Sequence, residues 1–218
     1  MNFPWMSQNV ACPIVEFHDV RTEKFRSDRY LAMIENRLAA PLMLAGGTPM
    51  GQFSVADHPD RLLLLRGFAN MATRRRALTA FHGSDAWAAE RREASELVRH
   101  ASVILTRAIK PAEGMRPLRA GQRMMALISE VRFAEQIGNY HLWLRLLLRK
   151  AGLDPYAAFA TLEAVNDVPA IPVVRNRSQH IALLPMEGKV PELPPELRGM
   201  LRFPPETLEL VPSLSLVW

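Results

Sequence analysis

The chain of 218 residues contains one cysteine, four lysines and three tyrosines. With Cys12 alone, no disulfide can close within the chain and no cysteine-built metal or iron–sulfur site can form, which points to a reducing, cytoplasmic setting. The scarcity of lysine leaves the net charge of +5 almost wholly to arginine. Those arginines are scattered, and the Arg74-Arg75-Arg76 run lacks aromatic interleaving or a recognition-helix signature, so a solvated helix face is expected there and no nucleic-acid partner. Long apolar runs are missing too: LLLL at 62–65 and LWLRLLL at 142–148, broken by Arg145, are too short to span a bilayer. The N-terminal residues have neither a basic cluster followed by an apolar core nor the arginine and serine richness of a transit segment. GxGxxG, a Walker lysine, HExxH and GxSxG are all absent, and no two of the six histidines stand four apart. The expectation is therefore no metal and no cofactor.

What is present is ample apolar material, 49% of the residues, enough for a sizeable core. Ile14–Arg21 alternates with period two, as a half-buried strand does. A helix follows over Lys24–Ala40, closed by Pro41, and then strands over Gly51–Ala56 and Arg61–Phe68. Helices are expected over Met71–Phe81 and Asp85–Val98, with Asn70, Thr73 or Ser84 as capping residues, and a strand over Ser102–Ile109. Residues 110–124, rich in Pro, Gly and basic side chains, read as a linker between units at 14–109 and 125–218. The second unit repeats the order: strand Met125–Phe133, helix Gly138–Ala151, strands Phe159–Asn166 and His180–Pro185, a helical turn within 191–212, and strand Ser213–Trp218. Each half is then a βαββαβ, ferredoxin-like α+β unit. Two such units cover each other's bare sheet faces, giving a dimeric α+β barrel-like pseudo-dimer within one chain.

Over residues 46–109 the sequence resembles the NIPSNAP family. The resemblance is carried by a strand ending in Leu65, Arg66 and Phe68, and a helix with Met71, Ala72, Arg74, Arg75, Ala77, Leu78, Ala80 and Phe81. A break at Gly83 and a helix bearing Trp87 complete it. The chain departs from the pattern at His82, where an aromatic such as Tyr is usual, and at Ser84-Asp85. The C-terminal half follows only by element order. The resemblance implies the dimeric α+β barrel shared with small monooxygenases, haem-degrading enzymes and stress-response proteins, and no defined activity.

Glu16 and His18 share one face of the first strand, directed into the barrel or towards its rim, where the carboxylate would hold the imidazole in one tautomer as a general base. The alternative is a structural pair at the rim. Arg66 and Arg107 sit inside apolar strands and need carboxylates, Glu16 or Asp19, or a bound anion. His82, in the helix break, either contacts a ligand at the end of the barrel or is a surface turn residue; Trp87, Phe81 and Phe68 either line an apolar pocket or pack in the core. Glu130 and Arg132 would echo the first pair in the second half. Two functions compete. One is a module binding a hydrophobic or anionic small molecule or a protein partner, including a second copy through exposed sheet or helix faces. The other is a cofactor-independent monooxygenase or isomerase-like enzyme on a hydrophobic or aromatic substrate in a barrel cavity, with His18 as base and Arg66 or Arg107 on the oxyanion.

Overall fold

The computed structural model describes residues 12–110, 123–186 and 189–213. Most of the linker expected at 110–124, and all but the first residue of the strand expected at 213–218, lie outside them. Eight strands close into one antiparallel barrel. They are β1 (Ile14–Thr22), β2 (Thr48–Val55), β3 (His58–Phe68), β4 (Val98–Lys110), β5 (Met124–Glu130), β6 (Ala157–Thr161), β7 (Gln179–Pro185) and β8 (Glu206–Pro212). Around the barrel the order is β1-β3-β2-β8-β5-β7-β6-β4. Within β1–β4 the order is 4-1-3-2, and within β5–β8 it repeats, with β2 joined to β8 and β4 to β6. This is the expected pairing of two ferredoxin-like α+β units. Every strand has two neighbours, so assembly through an exposed sheet has no unpaired edge to use among the described residues.

The period of two sorts each strand between two environments. Inward-facing side chains from all eight strands, including Val15, Phe17, Phe53, Leu65, Phe159 and Leu210, form one contiguous apolar cluster, with Phe17 and Phe159 edge to face at 4.9 Å. The alternate positions face helices. In the first half these are α1 (Ser27–Met33), α2 (Ala39–Leu44), α3 (Met71–His82) and α4 (Asp85–Leu97). In the second they are α5 (Ile137–Lys150) and the short α6 (Pro195–Gly199). The Asn70 side chain accepts from Thr73 N–H at 2.8 Å and that of Ser84 from Trp87 N–H at 3.2 Å, so two of the expected caps start α3 and α4.

The first helical arm runs past its expected stop. A π-turn at Ile34–Leu38, past which the Ala39 N–H reaches back to Ile34 O, joins α1 to α2, and Pro41 is accommodated in the first turn of α2. The arm ends instead at Gly46, φ +97°, with Gly46 N–H bonded to Met43 O and Gly47 N–H to Leu42 O, a glycine C-cap that an L side chain would strain. On α5 the buried face is Ile137, Tyr140, His141, Leu144 and Leu148, whereas Trp143 is 63% exposed. The strand expected over Phe159–Asn166 stops at Thr161, because the chain then leaves the barrel to cross β4. None of the helices among the described residues is long and apolar enough to cross a membrane.

Close packing at the start of β1 yields a test. An added Cβ on Gly67 would stand 2.7 Å from Cys12 Cβ, so Gly67→Ala is expected to lower stability by about 1–3 kcal/mol through overpacking, read as a lower urea midpoint at unchanged m-value.

Candidate functional site

Glu16 and His18 point out of the barrel, not into it or to its rim: Val15 and Phe17 take the inward face, and the alternate residues meet the helical layer. There the His18 Nε2–H donates to Glu16 Oε2 at 2.9 Å. The other oxygen, Oε1, accepts from Arg74 on α3 at 2.7 Å. Arg74 has no solvent exposure and neither does Glu16. Its Nη1 donates to Asp167 Oδ1 at 2.6 Å and its Nη2 to Asn166 Oδ1 at 3.3 Å. Asp167 and Asn166 belong to the connection between β6 and β7, so the second half completes the ion cluster of the first. That connection is fastened over β4 by Val103 N–H to Pro172 O and Val174 N–H to Val103 O.

These charges set the protonation states. Burial alone would raise the Glu16 carboxyl, but the hydrogen bond from His18 and the positive charges of Arg66 and Arg74 overcome it and hold it down at about 2. Burial, helped by the charge of Arg66, lowers His18 against the opposing pull of Glu16, so the ring is neutral at pH 7. With its Nε2 carrying the hydrogen given to Glu16, the lone pair lies on Nδ1. His82, at the end of α3, is lowered to about 4 by burial and by Arg66. Its ring packs edge-on against Trp87 at 4.8 Å.

The arginines trade the partners expected of them. Glu16 is taken by Arg74 and Asp19 by Arg61, whose guanidinium also reaches Glu206 on β8 at 2.5 Å. Arg66 lies opposite Glu16 in the β1–β3 register. It is half-buried, stands over the Phe81 ring at 5.9 Å, and makes no ion pair among the described residues. Arg107 is exposed on the outside of β4 and is not brought to this cluster. Phe68 packs with Ala77, Leu78 and Val103 in the core beneath α3. Arg66, His18, Glu16, His82, Trp87 and Phe68 thus share the helix-facing side of the first half, Phe68 as packing beneath α3, while Arg107 is not brought to the cluster.

Beside Arg66 a narrow cleft opens between the α1–α2 arm and β2–β3. Ile34, Leu38 and Leu42 form its outer wall, and Gln52, Arg66 and Phe81 its inner one. It measures about 370 Å³ with its solvent-open mouth included, and its enclosed floor has room for a water or two. A bulge between Pro49 and Gly51 bends β2 at this point. In the register, His18 faces Leu64 and Leu64 faces Gln52, so the imidazole stands one strand behind the cleft wall. The arrangement pairs a neutral base with a cation that has no carboxylate of its own among the described residues, at the edge of an apolar groove.

Sequence reasoning placed Arg74 on a solvated face and did not single out Asp167 or Gln52. A signal was there for Arg74: it stands in the row 74, 77, 78, 81, the spacing of the buried face of α3. In the second half, Glu130 does not echo the first pair; it meets Arg177 and Arg202 at 3.4 and 3.9 Å. The helix-facing polar set there is Ser129, bonded to Tyr140 at 2.8 Å, and His180, bonded to His141 at 3.0 Å.

No family model matches the sequence, and no curated protein matches it. Among solved structures, a "putative monooxygenase" from Fusobacterium nucleatum superposes with a TM-score of 0.61 at 8% identity, covering 96% of this chain and 98% of that one. Another "putative monooxygenase", from Lactobacillus acidophilus NCFM, has a TM-score of 0.57 at 12% identity, covering 95% of this chain and 99% of that one. A NIPSNAP family protein from Agrobacterium tumefaciens matches 42% of this chain and 89% of that one at 19% identity, with a TM-score of 0.40. The full-length likenesses establish the barrel fold.

Two measurements check the electrostatics. Arg74→Met strands a buried carboxylate and is expected to destabilise by about 3–5 kcal/mol, and adding Glu16→Gln should recover part of that loss. Urea unfolding of the single and double variants decides it. His180, lowered to about 3 by burial and the neighbouring His141, binds its proton more readily when unfolded. Its contribution is therefore intact above pH 6.5 and lost progressively towards pH 3. Glu16 adds a second loss below pH 4.5, so urea midpoints should fall steadily between pH 7 and 4, and less steeply down to pH 4.5 in His180→Gln.

Proposed function

We propose that this protein is a cofactor-independent enzyme of monooxygenase or isomerase type, acting on a hydrophobic or aromatic small molecule held in the cleft beside Arg66 rather than inside the filled barrel. The carrying observation is the Arg66 guanidinium, which makes no ion pair among the described residues, lines the cleft and lies opposite Glu16 in the sheet. The name given to both full-length structural neighbours favours an enzyme over a binding module. His18 takes a proton from an acidic C–H or O–H through Nδ1, and Glu16 steadies the imidazolium through Nε2–H. Arg66 receives the charge that develops on the substrate oxygen. Returning the proton to another carbon is isomerisation. With dioxygen as co-reactant, a CH₂ group becomes a carbonyl and the second oxygen atom leaves as water, so the substrate supplies all four electrons. The division into units at 14–109 and 125–218 belongs to the same proposal, with the chemistry in the first.

A second reading, a binding module without chemistry, draws support from the 8% exposure of the His18 side chain: a substrate reaches the ring only if Leu64 moves. Turnover separates the two. Quinols, phenols and cyclic enones are incubated with the protein, following oxygen uptake and deuterium incorporation from solvent. His18→Gln is expected to lower turnover at least about 100-fold with binding within a few-fold of wild type. Because the His18 pKa is lowered, the acid limb of kcat/KM should lie below pH 6.5, with a plateau above it. Turnover that survives His18→Gln, or binding without any turnover, would remove the enzyme reading.

A further inference from the structure

Gln52 lines the cleft at 4% exposure, and its Oε1 is buried with no hydrogen-bond partner among the described residues. Buried amide oxygens are seldom left unmet, so an acceptor of this kind on a cleft wall asks for a donor from a ligand. It sits two strand positions from Arg66 along the sheet: Gln52 pairs with Leu64, and Pro49 with Arg66. Such a diagonal separates Cα atoms by about 7–8 Å. Between the two polar groups the wall is apolar, with Phe81 on one side and Ile34, Leu38 and Leu42 on the other. Among the described residues Arg66 is the one cation lining the cleft, which suits a singly charged anion and not a phosphate, whose recognition draws on several donors.

We propose that the cleft selects a planar, apolar acid that also carries a hydroxyl or amine donor at its far end, with the carboxylate or phenolate on Arg66 and the donor on Gln52 Oε1. This rests on the cleft being the substrate site and goes further, because it names what distinguishes a substrate from any other apolar molecule. The two ends do different work. Arg66 supplies attraction for the anion, which salt weakens. Gln52 supplies rejection: a ligand without a donor leaves Oε1 dry and unpaired, and sites built around such a bond discriminate strongly against analogues that lack it.

The test is calorimetric titration of the full chain with 4-hydroxybenzoate, 4-methoxybenzoate, which has no donor, and 4-hydroxybenzamide, which has no charge. Wild type should bind 4-hydroxybenzoate at least tenfold more tightly than either analogue. Gln52→Leu should erase the preference over the methoxy compound and keep that over the amide; Arg66→Met should do the reverse. Gln52→Met serves as a second variant, and the urea midpoint of each reports folding. If wild type binds the hydroxy and methoxy acids equally, or if Gln52→Leu leaves the preference intact, the donor requirement is wrong while the cleft stands as a site. If none of the three probes binds, this inference is overturned, and turnover of quinols or enones then decides separately whether the cleft is a substrate site.

Discussion

A guanidinium without solvent access governs the first half of this protein. Arginine does not give up its proton, so Arg74 at zero exposure must be answered by carboxylates wherever α3 places it. Glu16 answers from β1 and Asp167 from the connection after β6. Replacing such a pair by apolar side chains often costs nothing, whereas leaving either partner alone is expensive. What the cluster secures is arrangement. The rotation of α3 over β1, the ionised state of Glu16, the orientation of the His18 ring and the course of the β6–β7 connection are all consequences of one buried charge. Val168 and Ile171, carried along by that connection, pack against Phe68, Ala77 and Leu78.

Features decided within one element were legible in the sequence. The alternation of Ile14–Arg21, the caps Asn70 and Ser84, and the recurrence of one element order in both halves all rest on residues a few positions apart, and together they imply the closed barrel. Features decided between elements were not. Which carboxylate serves which arginine depends on register: Glu16 lies opposite Arg66 in the sheet yet bonds to Arg74 above it, and Asp19 goes to Arg61. Residues 162–166 read as a continuation of β6, but the chain leaves the strand after Thr161 to pack over β4. Pro41 reads as a helix stop because the π-turn that resets the hydrogen bonding leaves no compositional trace.

The candidate site was half legible for the same reason. His18 beside Glu16 follows from the period of a single strand, and Arg66 from its oddness in an apolar run. Arg107 has the same oddness and a different fate: it is exposed on the outside of β4. The unmet Oε1 of Gln52 has no sequence signature at all; it needs α1 and α2 folded over β2 before the amide is cut off from water.

Closing the barrel within one chain also removes a restriction. In a barrel assembled from two identical subunits, whatever lies under the helices of one must lie under those of the other, and two equivalent sites arise whether or not both are wanted. Here the helix-facing side of the second half carries no copy of the Glu16, His18 and Arg66 set among the described residues; it holds Ser129, His180 and the filled contacts of Tyr140, Leu144 and Leu148. The second half buttresses the first, reaching across through Asp167. On the site proposed beside Arg66, the stoichiometry would be one occupant per chain, with no identical second site to make a saturation curve cooperative.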